Sequence, residues 1–371
     1  HADPRTPNIW EALVAIRSTQ GNEIALISEE GKASTFAELE GYVNHSAQLL
    51  RDWGIDIKDR VALVTDNGPH AVAAFLALFR VCACFPQNPA ASYEECLKYM
   101  EDGRVSAVLH KEGLDSDLIS AARTLKVPVI FFSADESLPG FISIASPEIA
   151  SSDMRSIPSG SDTALILQTS GTTSRPKVVP FSHERLIGTA LSFAASLELS
   201  VNDRTVNVTP LFHGYGLNTV VLATLFSGGA VVCCKGFATE KFLEILETME
   251  VTWFSAVPTI LQAIAQDLPQ GGINHRLRFI RSGSASLPFT VAEELERVLA
   301  VPVIEAYATT ETVLISSNPV SMNRRKRGSA GIPRECEVEI RNSEGSPTVS
   351  PQRGEIWVRG PLVMKGYEND E

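Results

Sequence analysis

The stretch LILQTSGTTSRPKVVP, residues 165–180, decides how the fold of this chain is interpreted. Its apolar start, Leu165–Leu167, is typical of a buried strand and leads into small residues from Thr169 to Ser174. Gly171 can adopt backbone angles closed to other residues, so successive amides can point at one centre and form an anion site. Lys177 adds a positive charge on a flexible side chain. The stretch therefore predicts a loop that binds the phosphates of a nucleotide.

Two other interpretations of this loop are weaker. A flexible Ser/Thr linker is rarely bracketed by apolar strands, as this loop is. The phosphate loop of ordinary nucleotide hydrolases, G-x-x-x-x-G-K-[ST], needs a glycine directly before the lysine and a hydroxyl directly after it. This chain has Pro176 and Val178 at those positions. A Walker-type nucleotide hydrolase is therefore disfavoured.

The loop resembles the phosphate-binding signature S-G-T-T-G-x-P-K of adenylate-forming enzymes, which include acyl-CoA and aryl-CoA synthetases, luciferases and the adenylation domains of peptide synthetases. Ser174 stands where that signature has its second glycine. The variant T-S-G-T-T-S-R-P-K is most similar to the branch that contains oxalate–CoA ligases, and the similarity extends along almost the whole chain. The resemblance implies a catalytic Lys177, a magnesium ligand at Thr172, and ATP binding by Thr169, Ser170, Gly171, Thr172, Thr173, Ser174 and Lys177.

Length and composition favour a globular protein with more than one subdomain. The chain has 371 residues, of which 44% are hydrophobic and 20% charged. Its formal net charge of −12 argues against a general nucleic-acid binder, which needs a positive face. The longest apolar runs, such as Ala71 to Phe79, are too short to span a bilayer. We therefore expect neither nucleic acid nor a membrane as a partner.

The six cysteines indicate buried free thiols in a reducing compartment, because they lie mostly in apolar surroundings and lack C-x-x-C spacing. We expect no zinc site, and a cytoplasmic location with a peroxisomal one as the alternative. The chain starts at His1 without the apolar core of a secretory signal, so we expect it to be a fragment.

The order of strands and helices predicts an α/β fold of two doubly wound subdomains with a small antiparallel β-barrel at the C-terminal end. Residues 1–160 would form the first subdomain and a connecting segment. Residues 161–330 would form the second, which holds the ATP and acyl sites. Residues 331–371 alternate polar and apolar positions and would begin the barrel. Several strands of the second subdomain end in polar turns, and in an open parallel sheet such ends form the ligand crevice.

The segment Glu305-Ala-Tyr-Ala-Thr-Thr-Glu311 follows one of these strands. A carboxylate near polyphosphate can hold Mg²⁺, an aromatic ring can stack on adenine, and a threonine can bond a phosphate oxygen. The segment resembles the family motif Y-G-x-T-E, which implies nucleotide binding by Tyr307, catalytic roles for Thr310 and Glu311, and a metal at Glu311. Ala308 replaces the motif glycine, as in the oxalate–CoA ligase branch. Glu305 and Ala306 are predicted to contact the nucleotide. The alternative is a capped helix start.

Two further turns complete the predicted site. His213 lies in Pro210-Leu-Phe-His-Gly-Tyr-Gly216, where the resemblance implies closure over the acyl carboxylate, although a single histidine is more often structural. The segment Ser282–Leu287 resembles the one that runs along adenine and the acyl pocket, the alternative being a bare turn. The nucleotide would contact Ser284, Ala285 and Ser286. The acid would contact His213, Gly214, Tyr215, Ser282, Gly283, Ser284, Ala308, Val313 and Leu314.

The basic run Arg324-Arg-Lys-Arg327 is predicted to be a solvated loop, because isolated charge runs usually lie on solvated faces. A phosphate-binding role towards CoA is the alternative.

These features predict an enzyme that activates a small carboxylic acid with ATP and Mg²⁺ as an acyl adenylate. The acyl group would then pass to a thiol, either CoA or the phosphopantetheine of a carrier protein in a downstream carrier domain. A free-standing acyl-CoA or oxalate–CoA ligase, a luciferase-like oxygenase and a non-catalytic acyl-nucleotide sensor are the alternatives. The resemblance also implies a mobile C-terminal domain after Glu371, without which the chain would bind ATP but turn over poorly.

The acid is predicted to have an apolar, aryl or keto body. Relatives that activate amino acids place an Asp in the turn corresponding to Pro210–Gly216, and this turn has no acid. Oxalate–CoA ligases carry a polar, His-containing segment after the motif glutamate, where this chain has the apolar Thr312–Ile315. A second carboxylate would therefore lack partners at that position.

Overall fold

The computed structural model describes residues 6–147, 156–169, 176–321, 324–326, 328–348 and 352–368. A π-helix at Tyr215–Leu222 continues directly into α7. The α-helices are α1 Ile9–Gln20, α2 Phe36–Asp52, α3 Pro69–Phe79, α4 Tyr93–Asp102, α5 Leu118–Leu125, α6 His183–Ser196, α7 Ala223–Phe226, α8 Thr239–Thr248, α9 Pro258–Asp267 and α10 Phe289–Leu299. The strands are β1 Ile24–Ser28, β2 Ala33–Thr35, β3 Arg60–Val64, β4 Ala83–Pro86, β5 Ala107–Lys111, β6 Val129–Ala134, β7 Ile142–Ile144, β8 Thr163–Thr169, β9 Lys177–Ser182, β10 Arg204–Asn207, β11 Ala230–Cys233, β12 Trp253–Ala256, β13 Phe279–Ser282, β14 Val303–Thr309, β15 Val313–Ser317, β16 Ile332–Pro333, β17 Glu337–Arg341 and β18 Glu355–Arg359.

Local sequence explains where several helices begin. Thr35, the residue that caps α2, accepts a hydrogen bond from the backbone N–H of Glu38, and the backbone N–H of Thr35 donates to the Glu38 side chain. Ser92 and Glu95 form the same reciprocal arrangement at α4. Each pair satisfies two backbone N–H groups that the first helical turn leaves unpaired.

Two large sheets confirm the predicted α/β fold. One has seven strands in the order β7-β6-β5-β3-β4-β8-β9, parallel from β6 to β8 with antiparallel edges. The other has nine strands in the order β16-β15-β14-β13-β12-β10-β11-β1-β2, parallel from β14 to β1. Strands connected by helical crossovers lie parallel, which places their carboxyl ends along one edge of each sheet.

The division of strands between the sheets differs from the predicted split at residue 160. The hairpin β8–β9 joins the seven-stranded sheet, where Leu165 pairs with Cys84 of β4. The early hairpin β1–β2 joins the nine-stranded sheet, where Leu26 pairs with Val231 of β11. Each sheet therefore contains strands from both sides of the predicted boundary. The two hairpins pair with strands that are distant in sequence rather than with those nearest to them along the chain.

The core is built from strand residues that alternate between the two faces of each sheet. Trp253 and Phe279 are fully buried on adjacent strands, with their rings stacked 5.6 Å apart between centroids. Burying such aromatic rings contributes about 1.5–3 kcal/mol each.

The cysteines are free thiols, as predicted; five are buried and Cys336 is partly exposed. Within the described ranges, no helix is long and apolar enough to cross a membrane.

Near the C-terminal end, β17 and β18 pair antiparallel, with Val338 opposite Val358. This confirms the predicted antiparallel element. In the part of the chain that the structure describes, these strands form a two-stranded sheet rather than a closed barrel.

Gly331 allows a close approach of backbone at the edge of the nine-stranded sheet. Its φ is +91°, and a Cβ there would lie 2.1 Å from the carbonyl carbon of Ser317. Gly345 has a similar φ of +80° but faces open space. The two glycines differ in steric contact and share a left-handed backbone.

We predict that Gly331→Ala destabilises the protein more than Gly345→Ala. Gly345→Ala costs about 1–2 kcal/mol of stability, because alanine is disfavoured in a left-handed backbone conformation. Gly331→Ala has the same cost and also forces two backbone segments apart. Urea denaturation of both variants measures the difference. Equal midpoints would contradict the close approach at Gly331.

Candidate active site

A cavity of about 810 Å³ lies at the carboxyl ends of strands from both sheets. Its lining includes Thr169 at the end of β8, Thr209 after β10, Val257 after β12 and Thr309 at the end of β14. This is the edge where a parallel sheet forms its ligand crevice. The predicted site residues that line it are Thr169, Lys177, His213, Gly214, Tyr215, Ser284, Ala306, Ala308, Thr310, Glu311 and Val313.

A second cavity of about 480 Å³ adjoins the first. Ser284, Ala306 and Ala308 line both, so the two form neighbouring parts of one crevice. The predicted nucleotide contacts Ala285, Ser286, Glu305 and Tyr307 lie here, together with Ser282. Tyr307 is 39% exposed, so its ring face is open to a ligand.

Two predicted acid contacts line neither cavity. Gly283 is buried against the ring of Tyr215, where a Cβ would lie 2.4 Å from a ring carbon. Leu314 is 2% exposed and packs into the hydrophobic core, paired with Ala308 across β14 and β15. Strand alternation explains this result, because Val313 faces the cavity and the next residue must face away.

The predicted phosphate loop connects the two strands of a hairpin. Thr169 at the end of β8 pairs with Lys177 at the start of β9. The loop residues Ser170, Gly171, Thr172, Thr173 and Ser174 lie outside the described residues, so their roles stay predictions. The two residues that flank these positions in the described part of the hairpin, Thr169 and Lys177, both line the larger cavity.

Tyr367 links the two charged groups predicted to act on the nucleotide. Its hydroxyl donates a hydrogen bond to Oε1 of Glu311 at 2.7 Å. Its ring lies 4.3 Å from Nζ of Lys177, in cation–π geometry. Sequence analysis assigned no role to Tyr367, because only the fold brings residue 367 beside residues 177 and 311.

Arg185 on α6 holds the backbone of the glutamate motif. Its guanidinium donates to the carbonyl oxygens of Thr310 and Glu311, both at 2.8 Å, and to those of Leu362 at 2.8 Å and Pro180 at 3.2 Å. Burial lowers the pKa of Arg185 to about 10, and the charge of Glu311 opposes that effect. The side chain remains a cation at neutral pH and acts as a positioning residue for Glu311.

His213 lines the larger cavity, in the turn that precedes the π-helix. Desolvation by the surrounding protein lowers the pKa of His213, which favours the neutral imidazole at neutral pH. The following residue, Gly214, allows close approach of Leu167, whose Cδ1 would be 2.6 Å from a Cβ at that position. The turn is thereby packed directly onto the end of β8.

The helix after this turn begins at Tyr215 and opens with π-helical residues. Segments of π-helix are rare and are found mainly at functional sites. The wider turns place Tyr215 and Asn218 on the cavity wall. The hydroxyl of Tyr215 lies 2.6 Å from Oγ of Ser255 on β12, which fixes the ring.

Two residues that line the crevice have a strained backbone. Ser284, shared by both cavities, has a φ of +70°, and Val313 has a φ of +62°. A β-branched residue with positive φ is an outlier, and such conformations cluster at functional sites. Both residues were predicted from sequence as contacts, without any indication of the strain.

Sequence analysis missed Arg281, a charged residue inside an otherwise apolar strand. Its side chain is 1% exposed and lines the larger cavity. Burial lowers the pKa of Arg281, and the nearby hydroxyl of Tyr215 opposes that shift. The sequence contained one signal: Arg278 and Arg281 cannot both face solvent on a buried strand.

The basic run near residue 325 differs from its prediction. Arg324 and Lys326 are exposed, but Arg325 forms an ion pair with Glu296, and both side chains are less than a tenth exposed. Arg327 lies outside the described residues. The solvated-loop prediction is therefore wrong for Arg325, because a buried carboxylate on α10 is within reach.

Glu311 fits a magnesium ion that also binds nucleotide phosphates. One of its oxygens, Oε1, accepts the bond from Tyr367, and the other remains for a hard cation. The described residues contain no cluster of three or more His, Cys, Asp or Glu side chains that would form an all-protein metal site. A single carboxylate with substrate phosphates is the arrangement that Mg²⁺ commonly uses.

Comparisons with known proteins agree with this geometry. Residues 14–368 match the family described as AMP-binding enzyme. Oxalate–CoA ligase of Arabidopsis thaliana is 36% identical over 355 residues, covering 93% of this chain and 69% of that protein. The 2-succinylbenzoate–CoA ligase of Bacillus velezensis is 32% identical, covering 93% of this chain and 68% of the relative. The chain thus spans somewhat over two thirds of the length of these relatives.

Solved structures share the fold. The o-succinylbenzoate CoA synthetase MenE of Bacillus subtilis, in complex with the acyl-adenylate intermediate OSB-AMP, has a TM-score of 0.83 and 28% identity, covering 98% of this chain and 72% of that one. Apo MatB of Rhodopseudomonas palustris has a TM-score of 0.85 at 24% identity, covering 97% and 71%.

The match to the family model spans nearly the whole chain. Lys177 of the phosphate-loop motif and Glu311 of the glutamate motif line one crevice of the expected fold. The chain therefore belongs to the AMP-binding enzyme family and is an adenylate-forming ligase.

Proposed function

We propose that this protein uses ATP to activate a small carboxylic acid as an acyl adenylate, releases pyrophosphate, and transfers the acyl group to coenzyme A. One observation carries the proposal. Lys177, His213, Thr310 and Glu311, predicted from three separate motifs, line a single cavity at the carboxyl ends of the strands.

In the first half-reaction, a carboxylate oxygen of the acid forms a bond to the α-phosphorus of ATP, and the bond from that phosphorus to the bridging oxygen of pyrophosphate breaks. No protein nucleophile is needed. Lys177 would neutralise phosphate charge, and Thr310 would donate to a phosphate oxygen. Neutral His213 would contact the carboxylate without fixing it as a tight ion pair. These contributions are positioning and charge stabilisation.

A magnesium ion held by Glu311, with Thr172 as a second predicted ligand, would neutralise polyphosphate charge when bound. The protein itself sets the position of Glu311, through Tyr367 on its carboxylate and Arg185 on its backbone. The metal and the two ligands are parts of the proposal, as is ATP.

In the second half-reaction, the thiolate sulfur of CoA forms a bond to the acyl carbon, and the bond to AMP breaks. The names of the relatives, which include oxalate–CoA and 2-succinylbenzoate–CoA ligases, support CoA as the acceptor. A carrier-protein pantetheine is the alternative. Acyl transfer assays with CoA and with a phosphopantetheinylated carrier distinguish the two acceptors.

The cavity supports an acid with an apolar body. Its lining includes Phe181, Phe193, Val257 and Val313. Among the described lining residues the only carboxylate is Glu311, which Tyr367 already engages, so the ammonium group of an amino acid would have no dedicated partner.

We predict that Lys177→Ala weakens MgATP binding by about 10- to 100-fold, because one charged contact to phosphate contributes about 1.5–3 kcal/mol. Isothermal titration calorimetry measures the affinity. Lys235→Ala, which removes a lysine that lines neither part of the crevice and pairs with Glu30 and Glu136, is the matched control. Equal MgATP affinities in Lys177→Ala and Lys235→Ala would contradict a role of the phosphate hairpin in binding ATP.

We predict that aryl, keto or aliphatic acids support ATP–pyrophosphate exchange better than oxalate or free amino acids. The reason is the apolar lining, which cannot pair a free ammonium and leaves room beyond a two-carbon acid. Exchange rates across an acid panel provide the measurement. A preference for oxalate or an amino acid would overturn this part of the proposal.

We predict that Arg185→Met lowers the free energy of unfolding by at least about 3 kcal/mol, since four carbonyl oxygens lose a charged donor. The carbonyl of Glu311 keeps its bond from the backbone N–H of Met364. Arg51→Met is the control, because Arg51 donates a hydrogen bond to a single carbonyl of the described residues, that of Arg80. Urea denaturation compares them. Arg185→Lys keeps the charge and should have a smaller effect on the free energy of unfolding than Arg185→Met. Its rate of pyrophosphate exchange should nevertheless fall, because Glu311 would be less well positioned. A loss no larger than that of Arg51→Met would argue against the positioning role.

A further inference from the structure

We propose that Arg281 is a specificity-determining residue that binds a second carboxylate of the substrate, so that the protein activates one end of a dicarboxylic acid. This inference rests on the proposed function, because it names the class of acid that the same site takes. The second carboxylate would lie at the end of an apolar body, away from the carboxylate that is activated.

The burial of Arg281 without a counter-ion is the main observation. The side chain is 1% exposed, and it forms no ion pair with any residue that the structure describes. Its Nη1 donates to Oγ of Ser255 at 3.2 Å, while its Nε has no hydrogen-bond partner. A guanidinium remains charged in proteins, and a buried charge without a partner is costly. An anionic ligand in the adjacent cavity would supply the missing partner.

The surroundings of Arg281 hold the guanidinium in place and leave donors for a ligand. Its central carbon lies 5.2 Å from the ring of Phe193 and 5.5 Å from that of Tyr215. Ser255, directly opposite Arg281 in the β12–β13 pairing, hydrogen-bonds to both Arg281 and Tyr215. These contacts offset part of the burial cost. They orient a planar group whose geometry matches a carboxylate.

A second unpartnered polar group faces the same cavity. Asn218, on the π-helix, is 6% exposed, and its Oδ1 has no hydrogen-bond partner. Rotation of the amide would present the Nδ2 donors to an anion instead. Two buried polar groups with unused capacity at one cavity indicate a ligand with polar atoms there, since buried polar groups are normally paired.

The position of Arg281 favours the acid over the nucleotide. Arg281 contacts Tyr215, which follows the turn of His213, the part of the crevice assigned to the acid. Lys177, assigned to the phosphates, comes from β9 of the phosphate hairpin. The apolar residues Val257 and Val313 line the same cavity and suit the body of an acid. Sequence analysis found no partner for a second carboxylate after Glu311. Arg281, earlier in the chain, provides one.

The test compares acids that differ only in a second carboxylate: hexanoate with adipate, and benzoate with terephthalate. ATP–pyrophosphate exchange gives kcat/KM for each acid, and the thermal midpoint without ATP reports direct binding. We expect the protein to prefer a dicarboxylate in at least one pair. Arg281→Met should reduce that preference by about 100-fold and abolish the midpoint shift given by the dicarboxylate. Arg281→Lys should retain part of both.

Val257→Ala is the matched control, because it alters the part of the cavity that suits the apolar body of the acid, without changing charge, and should affect both members of a pair alike. A dicarboxylate-induced shift of the thermal midpoint that disappears in Arg281→Met supports the inference, whether or not any acid supports exchange. Absence of exchange with every acid would overturn the proposed function and leave this inference standing. The inference is overturned if dicarboxylates give no shift in the unmodified protein, or if Arg281→Met changes both members of each pair equally.

Discussion

The active-site crevice depends on one buried cation, Arg185. Its guanidinium ties four backbone carbonyls from three distant segments: the end of β9, the glutamate motif, and the turn at Leu362. A planar group with five donors in fixed directions can satisfy four carbonyls at once, whereas a lysine has only three donors, all on one nitrogen. The phosphate hairpin, the motif and the C-terminal segment are therefore positioned by the same side chain.

Much of the fold and several site residues could be predicted because they depend on local patterns. The helix α4, for example, begins at a Ser-x-x-Glu capping box, which is a signal contained in the local sequence. The motif at Glu311 and the turn at His213 follow strand ends, and strand ends of a parallel sheet meet at one edge. The sequence therefore predicted which segments converge without any knowledge of strand order.

What sequence analysis missed depends on pairings between distant residues. Nothing near Arg185 or Tyr367 indicates a cavity, and the predicted contacts at the end of β13 begin at Ser282, one residue beyond Arg281. Each of the three side chains acquires its role from partners on other elements. The exchange of hairpins between the two sheets was missed for the same reason: β1 and β8 pair with strands far away in sequence. Local strand propensity does not determine which sheet either hairpin joins. The need to bury the apolar face of each hairpin does determine it.

The π-helix has a consequence for how this chain tolerates change. A regular α-helix turns by about 100° per residue, and the wider i→i+5 turns of a π-helix turn by less, so one residue fewer in Tyr215–Leu222 is nearly compensated when the segment relaxes to α geometry. The buried end is fixed, since Val220, Val221 and Leu222 are at most 1% exposed. Both ends would therefore keep nearly the same orientation, and the change would fall on the wide turns that place Tyr215 and Asn218 on the cavity wall. A deletion there would act on ligand contacts, while the core behind them stays in register.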